Sequence, residues 1–221
     1  SMSDIIFKIG PRINASGRID NGKQSVDLLV EKDYSKALQQ AKHIDEYNEQ
    51  RKDIDKQMTE EANQIVSRIE NQKQQSSIVV YDENWKKGVV GIVASRLTEI
   101  YFRPTVVLTK DGNLATGSAR SIMGVDVYAA IKHCRDLLLN FGGHTYAAGL
   151  TLHWDDIPKF KQRFQEYIEN HILPEQKEAT LDIDAQIDFK DISKKEILSQ
   201  EAYEQLVLRD SFGQLLFDAP V

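Results

Sequence analysis

A long polar stretch with a thin apolar stripe is the first clear pattern along the chain. Between positions 34 and 73 there is neither glycine nor proline, and Gln, Lys, Glu, Asp and Ala dominate, which predicts one long helix. About forty helical residues would span roughly 60 Å. Such a helix connects domains or packs on one neighbour, and a coiled-coil dimer arm is the alternative. The apolar residues mostly recur at spacings of three, four and seven: Ala37, Ala41, Ile44, Ile54, Met58, Ala62, Ile65 and Ile69.

The pattern changes after position 75 to shorter apolar and amphipathic segments. Short apolar runs, the first two rich in valine or isoleucine, predict strands at 77–81, 105–109, 114–120 and 150–153. Amphipathic stretches predict helices at 89–101, 125–139 and 158–172. This alternation predicts an α/β domain, that is, a sheet with packed helices.

A different pattern begins near position 180. Apolar residues occupy every second position from 180 to 189, which predicts a half-buried strand of an antiparallel sheet. A helical stretch follows at 193–206. Because one strand and one helix cannot form a core, we interpret this region as the truncated start of a further β region.

Composition and charge limit the function classes. A chain of 221 residues, 41% hydrophobic and 28% charged, is long enough for one complete domain plus pieces. Its formal charge of −6 argues against binding of duplex DNA through the whole surface, so a polyanion site must be a local patch. One candidate patch spans 86–120, where six basic residues face two acidic ones.

The cysteine content and the hydropathy pattern bear on the compartment. A single cysteine, Cys134, excludes an internal disulfide, fits a reducing compartment and is expected to serve packing. No apolar run approaches the roughly 18 residues of a membrane span, and the N-terminus lacks a secretion-signal pattern. We therefore expect a cytoplasmic protein with no membrane association.

Three motifs carry candidate chemistry, and the first spans 10–18. Its two glycines and one proline predict a turn-rich segment, while Arg12, Arg18 and Asn14 supply planar donors for phosphate oxygens. The alternative is a surface loop with incidental charge. Alone, this motif is weak.

The second motif spans 85–97 and opens a predicted helix after a predicted strand. Its glycines let a backbone approach closely, and free amides at the helix start could bind an anion. We favour packing as the role of Gly91, Ala94 and Ser95, because small residues let the helix lie tightly on the sheet. The spacing of a dinucleotide-binding fingerprint is absent.

The third motif consists of two pieces, 117–121 and 141–149. Gly142 and Gly143 precede His144, which would expose main-chain amides and a ring nitrogen to one ligand. Serine hydroxyls and a guanidinium at the end of a strand would complete a phosphate cradle: Ser118, Ser121 and Arg120. The alternative for His144 is a structural histidine, and we favour ligand contact.

Together these motifs resemble the DHH-associated domain of the RecJ exonucleases, and the run Gly-Val-Val-Gly-Ile-Val-Ala-Ser-Arg at 88–96 is the most specific part. The resemblance implies the tail end of a DHH domain at 1–33 and a connector helix at 34–75. It further implies the nucleic-acid-binding domain at 76–175 and the start of an OB-like region at 176–221. Lys86 stands where RecJ proteins commonly have His, and the pattern expected near the OB start is incomplete at 210–216.

The resemblance also implies roles for individual residues. Arg18, Ser118 and Arg120 would contact the 5′ phosphate or nearby backbone. Gly143 and His144 would approach the scissile phosphate. The weaker or supporting contacts would come from Arg12, Asn14, Ser121 and Gly142.

The same resemblance implies that Mn²⁺ or Mg²⁺ is bound in a DHH domain upstream of residue 1. The five histidines of the chain are scattered over separate predicted elements, so we assign no metal site here. We expect the intact protein to degrade single-stranded DNA from its 5′ end in recombination and repair, with this part inactive alone. Repair proteins could bind through the OB-like region. Two alternatives remain, a DHH-family phosphodiesterase for cyclic dinucleotides or short oligonucleotides, and a non-catalytic module that binds single strands.

Overall fold

The computed structural model describes residues 2–69 and 75–177. Seven α-helices lie in these ranges: α1 (Met2–Asp4), α2 (Gly10–Ile19), α3 (Lys23–Val30), α4 (Tyr34–Ser67), α5 (Val90–Tyr101), α6 (Val127–His133) and α7 (Ile157–His171). Five strands complete the described part: β1 (Ile78–Asp82), β2 (Thr105–Asp111), β3 (Leu114–Arg120), β4 (Leu138–His144) and β5 (Ala147–His153). A π-helical turn joins α1 to α2, and short 3₁₀ turns precede β4, precede α7 and follow α7.

The five strands form one mixed sheet in the order β1-β2-β3-β5-β4. β1 runs parallel to β2 because α5 connects them, and all other pairs are antiparallel. β2 and β3 form one hairpin, β4 and β5 form another, and β5 of the second hairpin pairs with β3. The predicted α/β class is therefore confirmed.

Helices cover one face of the sheet fully and the other face only in part. α6 and α7 bury the first face, where Phe160, Phe164 and Ile168 of α7 follow the helical spacing that the sequence predicts. On the second face the buried cluster draws on α4, α5, the segment before α5, and strands β1 and β2. Among the described residues, no buried member of this cluster comes from β3, β4 or β5.

This leaves an open face on three strands, which we define by strand register. Side chains directly opposite each other in an antiparallel pair point to the same side of the sheet. The register therefore gives three rows, none of whose members is buried. The rows are Arg120 with Ala147 and His144, Ser118 with Gly149 and Gly142, and Thr116 with Thr151 and Asn140.

The long helix is present, as predicted, and packs against other elements of the fold along its length. It begins at an Asp33 cap, whose side chain accepts a hydrogen bond from the Lys36 amide, and ends at Ser67 rather than at position 73. Its first half contacts α2 and α3, and its second half contacts α5 and β1. Three of its buried residues belong to the predicted apolar stripe: Ile44, Met58 and Ala62. The other three do not: the apolar Val66 and the polar Asn48 and Asp55.

Two predicted elements differ from the structure. The helix predicted at 125–139 ends at His133, because Cys134 leaves the helical conformation and Leu138 begins β4. Four predicted strands thus become five, and the Gly-Gly-His sequence lies in a strand instead of following a helix. The segment 10–18, predicted to be turn-rich, is the helix α2, with Pro11 in the first turn, where its missing N–H costs no hydrogen bond.

The strand predicted at 180–189 and the helix predicted at 193–206 lie outside the described residues. Within the described ranges, no helix combines the length and the apolar character needed to cross a membrane.

Candidate nucleic-acid interface

A guanidinium and a hydroxyl lie together on the open face at the C-terminal end of β3. Arg120 Nη1 donates to Ser118 Oγ at 2.6 Å and to the Ala119 carbonyl at 2.8 Å. These bonds fold the Arg120 side chain back over its own strand. The guanidinium is thereby held in one orientation at the edge of the open face, as a specific anion contact requires.

Gly91, in the first turn of α5, faces these two side chains. A Cβ on Gly91 would lie 3.1 Å from Arg120 Nη2 and 3.3 Å from Ser118 Oγ. Ala94, by contrast, is buried in the core that α5 shares with β1 and β2. The close approach of helix and sheet that we expected is present, but at Gly91 it makes room for site side chains rather than for the apolar core.

Arg18 reaches the same place from the end of α2. Its Nη1 donates to the Gly88 carbonyl at 3.0 Å. A Cβ on Gly88 would overlap with the Arg18 carbonyl oxygen and lie 2.8 Å from the carbonyl carbon. Glycine at position 88 therefore allows the backbone of α2 to pack against the segment that leads into α5.

The two guanidinium groups are close enough to affect each other. Burial, followed by the positive charge of Arg18, lowers the pKa of Arg120. Within the described ranges, neither arginine forms an ion pair with a carboxylate. Because like charges held together without compensation repel, an anion bound between them would stabilise this arrangement.

These groups surround a pocket of about 330 Å³, which we call the cradle. The start of α5 contributes to it, and main-chain amides at a helix N-terminus favour a bound anion. Lys87 adds a further positive charge, although its Nζ lies 2.9 Å from Asp111. The cradle is lined by Arg18, Lys87, Gly88, Val90, Gly91, Thr116, Gly117, Ser118 and Arg120.

The long helix α4 holds the segment that leads into α5. Trp85 Nε1 donates to Glu61 Oε2 at 2.8 Å, and the Lys86 amide donates to the sulfur of Met58 at 3.4 Å. From the sheet, Thr109 Oγ1 donates to the Trp85 carbonyl at 2.6 Å. Three hydrogen bonds from two elements, α4 and β2, thus fix the backbone that carries Lys87 and Gly88 into the cradle.

The Gly-Gly-His sequence lies at the far edge of the open face, at the end of β4. Gly143 has a φ of 148°, and a Cβ there would overlap with the Ala147 carbonyl oxygen, so the hairpin itself requires this glycine. His144 is exposed and lies in the same row as Arg120. The strands that carry these two residues are separated by β5, so they are about 10 Å apart. Its Nδ1 lies 3.4 Å from the Tyr146 amide.

Three other predicted site residues are not brought into the cradle. Ser121 is buried, and its hydroxyl donates to the Val125 carbonyl at 2.7 Å. Arg12 donates to Asp45 Oδ1 at 2.7 Å and thereby ties α2 to α4. Asn14 is exposed on α2, four residues before Arg18 and therefore on the same side of the helix.

Several residues of the open face were not among the predicted site residues. Thr116 alternates with Ser118 and Arg120 along β3, and small residues lie between them. This alternation was a readable signal of a polar face. Asn140 could not be found in the same way, because no strand was predicted at 138–144 and the first two of these positions were assigned to the end of a helix.

Metal-ligating side chains do not cluster in the described residues. No group of three or more His, Cys, Asp or Glu residues there could hold a metal ion. This part of the protein therefore does not fit a two-cation centre, and we derive no chemical step through one.

Comparison with known proteins finds similarity to the RecJ exonucleases. Residues 65–170 match the family model described as the DHHA1 domain. The chain is 37% identical over 193 residues to the single-stranded-DNA-specific exonuclease RecJ of Bacillus subtilis, a match that covers 86% of this chain and 24% of that protein. It is also 37% identical over 180 residues to the Escherichia coli protein of the same name, covering 78% of this chain and 31% of that one.

Solved structures show the same relationship. The crystal structure of RecJ from Thermus thermophilus in complex with Mg²⁺ has a TM-score of 0.69 at 29% identity, and the match covers 76% of this chain and 26% of that one. A structure of exonuclease RecJ bound to manganese has a TM-score of 0.68 at 28% identity, covering 80% of this chain and 43% of that one. The chain thus spans between 24% and 31% of the length of its curated relatives.

Proposed function

We propose that this chain, which contains a DHHA1 domain and is homologous to the RecJ exonucleases, holds the 5′ end of single-stranded DNA for a 5′-to-3′ exonuclease. The observation that carries the proposal is the cradle. There, the Ser118 hydroxyl, the start of α5 and two guanidinium groups that have no ion pair with a carboxylate of the described residues surround one pocket.

The charge of the cradle favours a terminal phosphate over an internal one. A phosphomonoester carries about −1.5 to −2 charges at pH 7 and three acceptor oxygens, whereas an internal phosphodiester carries one charge. Arg18 and Arg120 supply two positive charges, so a terminal phosphate compensates them better. A strand held by its end is also held in register for stepwise cleavage.

His144 would contact the next phosphate along the DNA strand. Its row on the open face begins at Arg120, and its ring is exposed. We assign it, with the Gly143 backbone, to the scissile phosphate. Gly142, Arg12, Asn14 and Ser121 remain predicted nucleic-acid contacts, although the hydrogen bonds of Arg12 and Ser121 point away from the cradle.

Hydrolysis itself would need divalent cations, as the Mg²⁺ and Mn²⁺ in related RecJ structures suggest. We propose that a DHH domain outside the described residues binds them, and that the part described here binds and orients the strand. The proposed setting is recombination and repair in the cytoplasm. Contact with repair proteins would fall to the OB-like region predicted at 176–221.

Fluorescence anisotropy tests this proposal directly. The chain is titrated with labelled single strands that carry either a 5′ phosphate or a 5′ hydroxyl, at low and moderate salt. Tighter binding of the phosphorylated strand, weakened by salt, is expected. Equal affinity for both strands would contradict recognition of the 5′ phosphate, and preference for cyclic dinucleotides would favour the phosphodiesterase alternative.

A further inference from the structure

A second pocket adjoins the cradle on the open face. It encloses about 320 Å³, and Thr116 and Gly117 line both pockets. A ligand that places a phosphate in the cradle can therefore extend into the second pocket without leaving the protein surface. The side chains that shape this pocket come from β3, β4 and β5.

Polar groups that can both donate and accept form one side of this pocket. Thr116, Thr151 and Asn140 lie in one row, and the two threonine hydroxyls are 3.5 Å apart. A hydroxyl and a carboxamide each offer a donor and an acceptor. This row can therefore bond to the edge of a ring that presents either kind of group.

The floor of the pocket consists of bare backbone, because Gly142 lies opposite Gly149 in the β4–β5 hairpin. Neither glycine has a positive φ. A Cβ on Gly142 would meet no atom within 4 Å, and one on Gly149 would meet only the Gly117 carbonyl oxygen, at 3.8 Å.

The fold therefore does not require glycine at positions 142 and 149, although glycine in a strand costs about 0.5–1 kcal/mol relative to alanine. Glycines of this kind fit a surface on which a ligand lies close to the backbone. A planar ring can rest there without meeting a side chain.

We propose that this second pocket binds the nucleobase of the terminal nucleotide whose 5′ phosphate lies in the cradle. The inference rests on the proposed function, since the phosphate brings the base to this place. The base would lie on the backbone of Gly142 and Gly149, with its edge towards Asn140 and the two threonines. Because that row both donates and accepts, it would hold any of the four bases and would not select a sequence.

The test separates the contribution of the base from that of the phosphate. Short labelled single strands with a normal or an abasic residue at the 5′ position, each with and without a 5′ phosphate, are titrated against the whole chain. With the phosphate present, the normal end should bind about fivefold more tightly than the abasic end. The variant Gly142→Val should lose this difference, keep the preference for phosphate and unfold at the same or a higher temperature, since valine favours strands.

Leu139→Val is the matched control, because it introduces the same side chain at an exposed position of the same strand. It should keep both the base and the phosphate preference. Phosphate preference without base preference in the wild type would overturn the base pocket alone. Base preference that persists in Gly142→Val would overturn the location of the base pocket. A wild-type protein with no preference for the 5′ phosphate would overturn the proposed function and this inference with it.

Discussion

Arg96 of α5 donates two hydrogen bonds to the buried carboxylate of Asp55 in α4, each with a length of 2.8 Å. This bond to Asp55, together with its negative charge, raises the pKa of Arg96. The pair joins α4 to α5, the helix whose first turn lines the cradle. Because the two oxygens of the carboxylate accept from two N–H groups of one guanidinium, the pair fixes the relative orientation of the two side chains as well as their distance.

Asp55→Asn should lower the free energy of unfolding by about 1–3 kcal/mol, because it leaves a buried amide against Arg96. The half-exposed guanidinium keeps the cost below that of a fully buried pair. Asp45→Asn is the control, since Asp45 pairs with Arg12 at the surface and should cost less than about 1 kcal/mol. Urea unfolding measures both, and equal effects would contradict a special role for the Asp55 pair.

Gly88→Ala should weaken both folding and binding of the 5′ phosphate. The added methyl group would overlap with the Arg18 backbone, so the end of α2 must move, at a cost of about 1–3 kcal/mol. Gly17→Ala, next to Arg18, has room for a methyl group and should leave stability unchanged or raised by up to about 1 kcal/mol. If the two variants behave alike in urea unfolding, the contact between Gly88 and Arg18 is not formed.

Gly91→Ala should reduce phosphate preference without loss of stability. Alanine raises helix propensity by about 1 kcal/mol, while its methyl group would displace the end of the Arg120 side chain. We expected from the sequence that a larger residue here would mainly overpack the core, and the structure instead points to the cradle. Ser95→Ala, one turn along α5, is the control for binding. Anisotropy with phosphorylated and unphosphorylated strands gives the answer, and a stable variant with full preference would refute this account of Gly91.

Cys134 should be unreactive in the folded protein. It is buried in the core on the face of the sheet that α6 and α7 cover, and burial raises the pKa of its thiol from 9.0 to about 11. Alkylation at pH 8 should therefore label only the unfolded chain. The raised pKa also means that the unfolded state loses this proton first, so stability should fall as the pH rises from about 9 to 11. Rapid labelling of the native protein would show that the thiol is accessible.

The bounds of an element were predicted accurately where its apolar residues recur with one period, either that of a helix or that of a strand. β3 has the predicted bounds, α5 begins one residue later than predicted, and α7 begins and ends one residue earlier than predicted. Each of these elements has one clearly apolar face that a neighbouring element buries. In such cases local pattern and tertiary packing favour the same structure.

Two elements around the site could not be predicted because tertiary contacts override local preference. β4 contains two glycines, which are unfavourable in strands, and it forms only because pairing with β5 satisfies its backbone. α2 contains glycines, proline and asparagine, and its packing on α4 stabilises the helix. The cradle residues Ser118 and Arg120 were found because β3 was predicted correctly, whereas Asn140 of β4 was not.

The salt dependence and phosphate preference of arginine variants test the central claim most directly. Arg18→Ala and Arg120→Ala are compared with Arg12→Ala, whose guanidinium is paired with Asp45 outside the cradle. In anisotropy titrations, each cradle variant should lose most of the preference for a 5′-phosphorylated strand and reduce the slope of log affinity against log salt by about one, whereas Arg12→Ala should keep the preference for the 5′ phosphate because Arg12 lies outside the cradle. Cradle variants that retain the wild-type preference and slope would contradict the assignment of this pocket to the 5′ phosphate.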